Sequence, residues 1–197
     1  MSIRKIIRNI VVTVIALCGA LTLTPMIGTP ASVKANTVNV KVHDQELLNQ
    51  ESKRVRFKSD VIGDRLIAMT FTYTTCTTIC PVLDSIFVDL QDLIGKRLGK
   101  DIFLVTMSID PNTDIPARMK LYAKKLGAKQ GWVFLTGKKQ DVDKVLTGLD
   151  VYSPDIYNHP PVVFVVDGRK GIWKRIYGFP SPEQIMEVIQ ELDDGRH

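Results

Sequence analysis

The chain has 197 residues, 45% of them hydrophobic and 24% charged, which suits one globular domain with a sizeable core. Its formal net charge of +5 is misleading, because four basic residues (Arg4, Lys5, Arg8, Lys34) and no acid fall within residues 1–35; the remainder carries 22 basic and 21 acidic side chains, a net charge of +1. A body this near neutrality offers no basis for nucleic acid or acidic lipid as a partner.

In chain order, the first element is a leader. A basic start is followed by an apolar stretch from Ile10 to Leu23, helix-breaking Pro25, and small residues ending in Val33-Lys34-Ala35. That order predicts a secretory signal peptide cleaved after Ala35. The alternative is a retained N-terminal membrane anchor, for which the apolar run is short against the ~20 residues a bilayer requires. Either way residues 36–197 form the domain, and it is expected outside the cytoplasm, periplasmic or otherwise extracytoplasmic. Of three cysteines, Cys18 lies in the apolar leader, which leaves Cys76 and Cys80 as the only pair in the exported part.

Thr37–Val42 alternates as a half-buried strand, and Val55–Lys58 does so again after a polar turn, which predicts an N-terminal β-hairpin. Leu66–Phe71 is apolar without alternation, as expected of a strand covered on both faces. After Cys80, apolar residues recur at helical spacing from Val82 to Leu98, with Pro81 in the first turn and Gly99 as a stop. Ile102–Ile109 reads as a second buried strand ending at Asp110-Pro111. Asp114 and Pro116 open another helix, running to Gly127. A short strand at Trp132–Leu135, a helix through Val142–Leu149, a polar loop from Asp150 to His159 and a strand at Val162–Val166 follow. Asp167–Gly171 forms a hairpin turn into Ile172–Tyr177, and Ser181-Pro182-Glu183-Gln184 is a capping box for the last helix. Alternating units with a closing hairpin imply an α/β fold with a mixed central sheet between helices.

The chemistry concentrates in Thr72–Pro81, where two cysteines stand four positions apart, between the first buried strand and a helix start. One helical turn separates the sulfurs, so they can form a disulfide or share a soft metal ion, and the helix start favours thiolate. A purely structural bridge closing so short a loop constrains the unfolded chain little.

These residues support a family. The run Thr75-Cys76-Thr77-Thr78-Ile79-Cys80-Pro81 after an apolar strand, Ser108–Pro116 about thirty residues on, Trp132–Gly137, and His159 just before a buried strand together resemble the SCO/SenC family, over about residues 38–190. The resemblance implies a thioredoxin-like fold and a copper chaperone for assembly of the dinuclear copper site of a respiratory cytochrome oxidase, whose copper-site subunit is the implied partner. Other copper chaperones or thiol reductants are further expected partners. The resemblance also implies that one copper ion, Cu(I) or Cu(II), is held by Cys76, Cys80 and His159; two thiolates and an imidazole suit that metal. Asn158 and Pro160 depart from the acid and hydroxyl residue often found beside this histidine in the family. The alternative is a periplasmic thiol-disulfide oxidoreductase in which Cys76 attacks and Cys80 resolves. A peroxidase chemistry at Cys76, with Thr72 and Thr75 upstream, is third. Pro161 lies where thioredoxin-like folds place a cis-proline, so a cis bond is predicted there. Asp110 reads either as an organiser of the Asp-Pro turn or as an acid facing the site. His43 and His197 read as solvated bystanders.

Overall fold

The computed structural model describes residues 34–195. The leader expected over residues 1–35 therefore lies outside the described residues except for its last two positions, and so does His197. No helix among the described residues is long and apolar enough to cross a membrane.

Among the described residues, eight strands and four α-helices, with a π-helical turn and two 3-10 turns between them, make up the domain. The strands are β1 (Asn36–Val38), β2 (Glu46–Asn49), β3 (Arg54–Arg56), β4 (Leu66–Thr72), β5 (Ile102–Ser108), β6 (Trp132–Thr136), β7 (Val162–Asp167) and β8 (Ile172–Tyr177). The helices are α1 (Cys80–Ile94), α2 (Pro116–Lys125), α3 (Lys139–Gly148) and α4 (Pro182–Asp194). All strands join one sheet in the order β1-β8-β7-β4-β5-β6-β2-β3. The β4–β5 and β5–β6 pairs are parallel and the remaining pairs are antiparallel, so the sheet is mixed as expected.

β4 is central, and all seven of its residues are buried. Alternate side chains serve two cores: Leu66 and Ala68 pack with α1, α2 and α4, whereas Ile67, Met69 and Phe71 pack with α3 and the N-terminal segment. This two-sided burial is why the sequence of β4 runs apolar without alternation. Helix α1 follows the same logic, sending Leu83, Phe87, Leu90 and Ile94 to the sheet at helical spacing. Ser181 and Gln184 close the capping box of α4 reciprocally, as the sequence predicts.

Two expectations need correction. The N-terminal hairpin exists, but its strands are β2 and β3; Thr37 and Val38 instead pair with Lys174 and Trp173 of β8 at the opposite edge of the sheet. A half-buried edge strand alternates whichever partner it has, so the pattern could not choose between the two edges. The peptide bond at Pro161 is trans, as are all peptide bonds among the described residues; its carbonyl accepts from Gly178 N–H at 3.0 Å and seats the entry to β7 on the end of β8.

This topology defines one end of the sheet. The parallel register sets Thr72 beside Ser108, the last residues of β4 and β5, while β7 runs the other way and begins there, with Val163 opposite Thr70. Residues just after β4, just after β5 and just before β7 therefore gather beyond the same strand ends, where binding sites of open α/β sheets form.

Candidate functional site

Cys76 and Cys80 are both free thiols and both buried. Cys80 is the first residue of α1, with Pro81 next, where the missing amide hydrogen has no helical acceptor to lose. Cys76 precedes the helix by one turn, in a bend closed by its N–H to the Tyr73 carbonyl at 2.9 Å. Its Sγ accepts the backbone N–H of Cys80 at 3.4 Å and lies 3.8 Å from Thr78 Oγ1. The first sulfur thus caps the amino terminus of the helix that carries the second.

That arrangement separates the two acidities. Burial pushes the Cys76 thiol up, but hydrogen bonds from Cys80, from the amides of Thr78 and Cys80 and from Tyr73 outweigh it and bring the group down to about 7. Burial pushes Cys80 up, and the hydrogen bond with Cys76 adds to the effect. Cys76 is therefore the more acidic thiol of the pair, ionising around neutrality, and Cys80 is the partner that keeps its proton.

Behind Cys80 runs a buried polar chain. The Thr72 hydroxyl lies 3.4 Å from Tyr122 Oη, and Tyr122 donates to the Asp84 carboxylate in a short hydrogen bond. Desolvation raises Asp84 to about 6 despite that bond and the charge of Lys125. Asp84, Tyr122 and Lys125 line a cavity of about 280 Å³ that reaches Cys76 and Thr74. Thr75, two positions past Tyr73, is exposed.

His159 stands at the end of the 150–161 loop, three residues before β7, and is only 8% exposed. Its ring packs on Phe71 at 5.6 Å between centroids, and Phe71 shares an apolar cluster with both cysteines. The same loop reaches the cysteine bend again where Tyr157 sits edge-on to Tyr73 at 6.1 Å. Desolvation lowers the histidine's basicity, opposed by a hydrogen bond with the backbone of Pro160, and Nε2 is buried without a hydrogen-bond partner. The imidazole faces a small cavity of about 90 Å³ with Asp110, Asn112, Lys139 and Tyr152. Asn158 does not support the ring: its amide donates to Asp155 at 2.6 Å.

The structure thus brings Cys76 and Cys80 together and packs His159 on Phe71, a member of the apolar cluster that holds both cysteines. Among the described residues, no three His, Cys, Asp or Glu side chains are gathered closely enough to enclose a metal ion in this conformation. The donor types nevertheless match a soft ion: two thiols one turn apart, one of them with its ionisation eased by hydrogen bonds, and a neutral imidazole with an unused nitrogen.

Sequence reasoning missed one residue. Asp114, read as a helix opener, is not the cap of α2; that position is Ile115, with no side-chain cap. Asp114 is fully buried and its carboxylate turns back to Thr74 and Ser108. Asp110 keeps the turn role: its carbonyl accepts from Thr113 and Asp114 N–H, and its own N–H donates to Ser108 Oγ at 3.0 Å.

A mixed sheet of this order, with a dithiol at the start of the helix that follows its central strand, defines a thioredoxin-like domain. The chain belongs to the SCO1/SenC family, whose family model matches residues 34–193. A SCO2-like protein of Rickettsia conorii is 28% identical over 197 residues, covering 92% of this chain and 94% of the relative. Among solved structures, Arabidopsis thaliana ScoI with copper bound superposes with a TM-score of 0.66 at 21% identity, covering 78% of this chain and 99% of that one. BsSco, described as having a disulfide switch and as a member of the Sco family of cytochrome c oxidase assembly proteins, superposes with a TM-score of 0.65 at 24% identity, covering 81% and 96%. These likenesses establish the fold.

Proposed function

We propose that this protein is a copper chaperone for assembly of the dinuclear copper site of a respiratory cytochrome oxidase, acting outside the cytoplasm. Family membership and relatives solved with copper bound support the reading. The observation that carries it is the donor set: Cys76 Sγ held by the Cys80 N–H, Cys80 one turn on, and His159 Nε2 buried with nothing to bond. The cargo is one copper ion. Cys76 and Cys80 hold it as thiolates, and binding releases the Cys80 proton, so uptake is favoured as pH rises. His159 supplies the third ligand after a movement of the 150–161 loop, and its neutral state leaves the free nitrogen available. The basic and apolar leader in the sequence supports export, either as a cleaved signal peptide or as a retained anchor.

Anaerobic copper titration of the reduced protein, read by absorption and X-ray spectroscopy, tests this. Wild type is expected to hold one equivalent, and His159→Ala to weaken binding about 10–100-fold while still leaving a two-thiolate complex. Failure of wild type to bind, or unchanged affinity in His159→Ala, overturns the reading.

The opposed acidities of the pair favour one further reading, a thiol-disulfide oxidoreductase. Cys76 thiolate attacks a substrate disulfide, one substrate sulfur leaves as thiol, and Cys80 then attacks the mixed disulfide, leaving Cys76–Cys80 oxidised and the substrate reduced. That activity does not require His159, so turnover of partner disulfides that persists in His159→Ala separates it from copper carriage.

A further inference from the structure

We infer that Asp114 is a positioning residue for the nucleophilic cysteine: its carboxylate, with Thr74, Ser108 and Arg118, clamps the main chain two residues before Cys76. The inference deepens the assignment of Cys76 and Cys80 as the functional dithiol and rests on it.

A carboxylate with no exposed surface is costly unless its oxygens are hydrogen-bonded. Asp114 is in that position, and it does not cap the helix it precedes. Its oxygens accept from Thr74 N–H at 3.1 Å, Thr74 Oγ1 at 2.5 Å and Ser108 Oγ at 2.7 Å. Arg118, one helical turn on, approaches Asp114 at 4.0 Å, and its Nε donates to Thr74 Oγ1 at 2.6 Å. The Thr74 hydroxyl therefore stands between cation and carboxylate, donating to one while accepting from the other. Charge-assisted hydrogen bonds of this kind are the stronger class and fix geometry.

What they fix is a stretch without regular structure. From Thr74 to Ile79 no strand or helix ladder holds the chain. The turn bond from Cys76 N–H to the Tyr73 carbonyl is supported by two side-chain anchors: the clamp on Thr74, and Cys76 Sγ accepting from the helix-start amide of Cys80. Ser108 ties the clamp to the end of β5, and β5 is bonded to β4, so the bend is referenced to the sheet rather than to solvent.

A charge effect and a positioning effect have opposite signs. Removing a nearby anion by itself makes a thiol easier to ionise and so more reactive. Loosening the bend withdraws the amide donors from Cys76 and makes it less reactive. The test compares wild type, Asp114→Asn, Thr74→Ser and Thr74→Val as reduced full chains. Iodoacetamide modification of Cys76 and Cys80 is followed separately by mass spectrometry, with Cu(I) affinity measured by competition with a chromogenic chelator. Wild type is expected to modify at Cys76 first. Asp114→Asn is expected to slow Cys76 and weaken Cu(I) binding by about tenfold each, in the range seen when a ligand's hydrogen-bond support is removed. Thr74→Ser, which keeps the hydroxyl, is expected to stay near wild type, and Thr74→Val to shift in the direction of Asp114→Asn. Unchanged or faster Cys76 modification in a folded Asp114→Asn overturns the assignment. If Asp114→Asn does not fold, Thr74→Val decides in the same way. A wild type that binds no copper yet loses Cys76 reactivity in the variants sinks the copper reading alone and leaves this one standing.

Discussion

Asp84 shows how much one buried side chain can control. It is 3% exposed, and desolvation lifts its ionisation from the ordinary 3.8 to about 6. The folded state binds this proton more tightly than the unfolded state, so the group's contribution to stability is complete below about pH 4 and is lost as pH rises through about 6. The loss is on the order of 3 kcal/mol. In Asp84→Asn, which keeps an acceptor for the Tyr122 hydroxyl, the stability gain over wild type is expected to be small near pH 4.5 and to grow towards pH 7. Urea denaturation at both pH values measures it, and a gain independent of pH would refute the argument. Legibility at this scale was uneven. The cysteine pair declares itself by spacing and by the proline that follows. Asp114 does not, because Asp-Ile-Pro has the same local pattern whether the carboxylate caps its helix or reaches back to Thr74. No period or turn preference links positions forty residues apart.

Among the elements, the weakest seam lies between β6 and β2. Only Leu48–Thr136 and Asn49–Leu135 pair directly, and beyond them the Gln50 side-chain amide takes the place of a strand. It accepts from Phe134 N–H at 2.9 Å and donates to the Trp132 carbonyl at 3.4 Å. Gln50→Ala is expected to cost about 1 kcal/mol and to speed hydrogen exchange of the Phe134 amide selectively. Exchange at Phe134 no faster than in wild type would show that the amide has another partner. Buried strands and helices were legible here because burial writes itself into sequence: β4 and β5 as apolar runs, α1 and α4 as periodic ones. Edge strands were not, since β1 and β3 carry similar weak alternation while lying at opposite edges of the sheet.

At the scale of the molecule, one sheet separates two cores, and each core holds one tryptophan. Trp132 packs with Phe87 and Phe134 on the side of α1, α2 and α4, and donates its indole N–H to Thr106 Oγ1 at 3.0 Å. Trp173 packs with Phe164 on the side of α3. Because β4 and β5 each contribute side chains to both cores, neither layer can come apart alone, and unfolding is expected to be a single transition. Trp132→Phe leaves fluorescence from one layer and Trp173→Phe from the other. Each variant's fluorescence midpoint is expected to coincide with its own far-UV circular dichroism midpoint, and a separation in either would reveal a layer that melts independently. The sequence was informative about the number of layers, through the alternation of helices and strands, but silent on which helix covers which face.

The placing of Cys80 and His159 beyond the same end of the sheet has a consequence for how the chain can vary. Between them in sequence lie the rest of α1, β5, α2, β6 and α3, yet β4 and β7, the strands whose ends carry them, are hydrogen-bonded neighbours. The metric that matters to the site is a ladder two strands wide, not the contour length of the intervening polypeptide. Turns in that stretch, such as the connection from α2 to β6 through Gly127, are thus free to lengthen or to be cut for circular permutation with the thiols and imidazole undisturbed. A slip of a single residue between β7 and β4 would displace the histidine from its place beside Phe71.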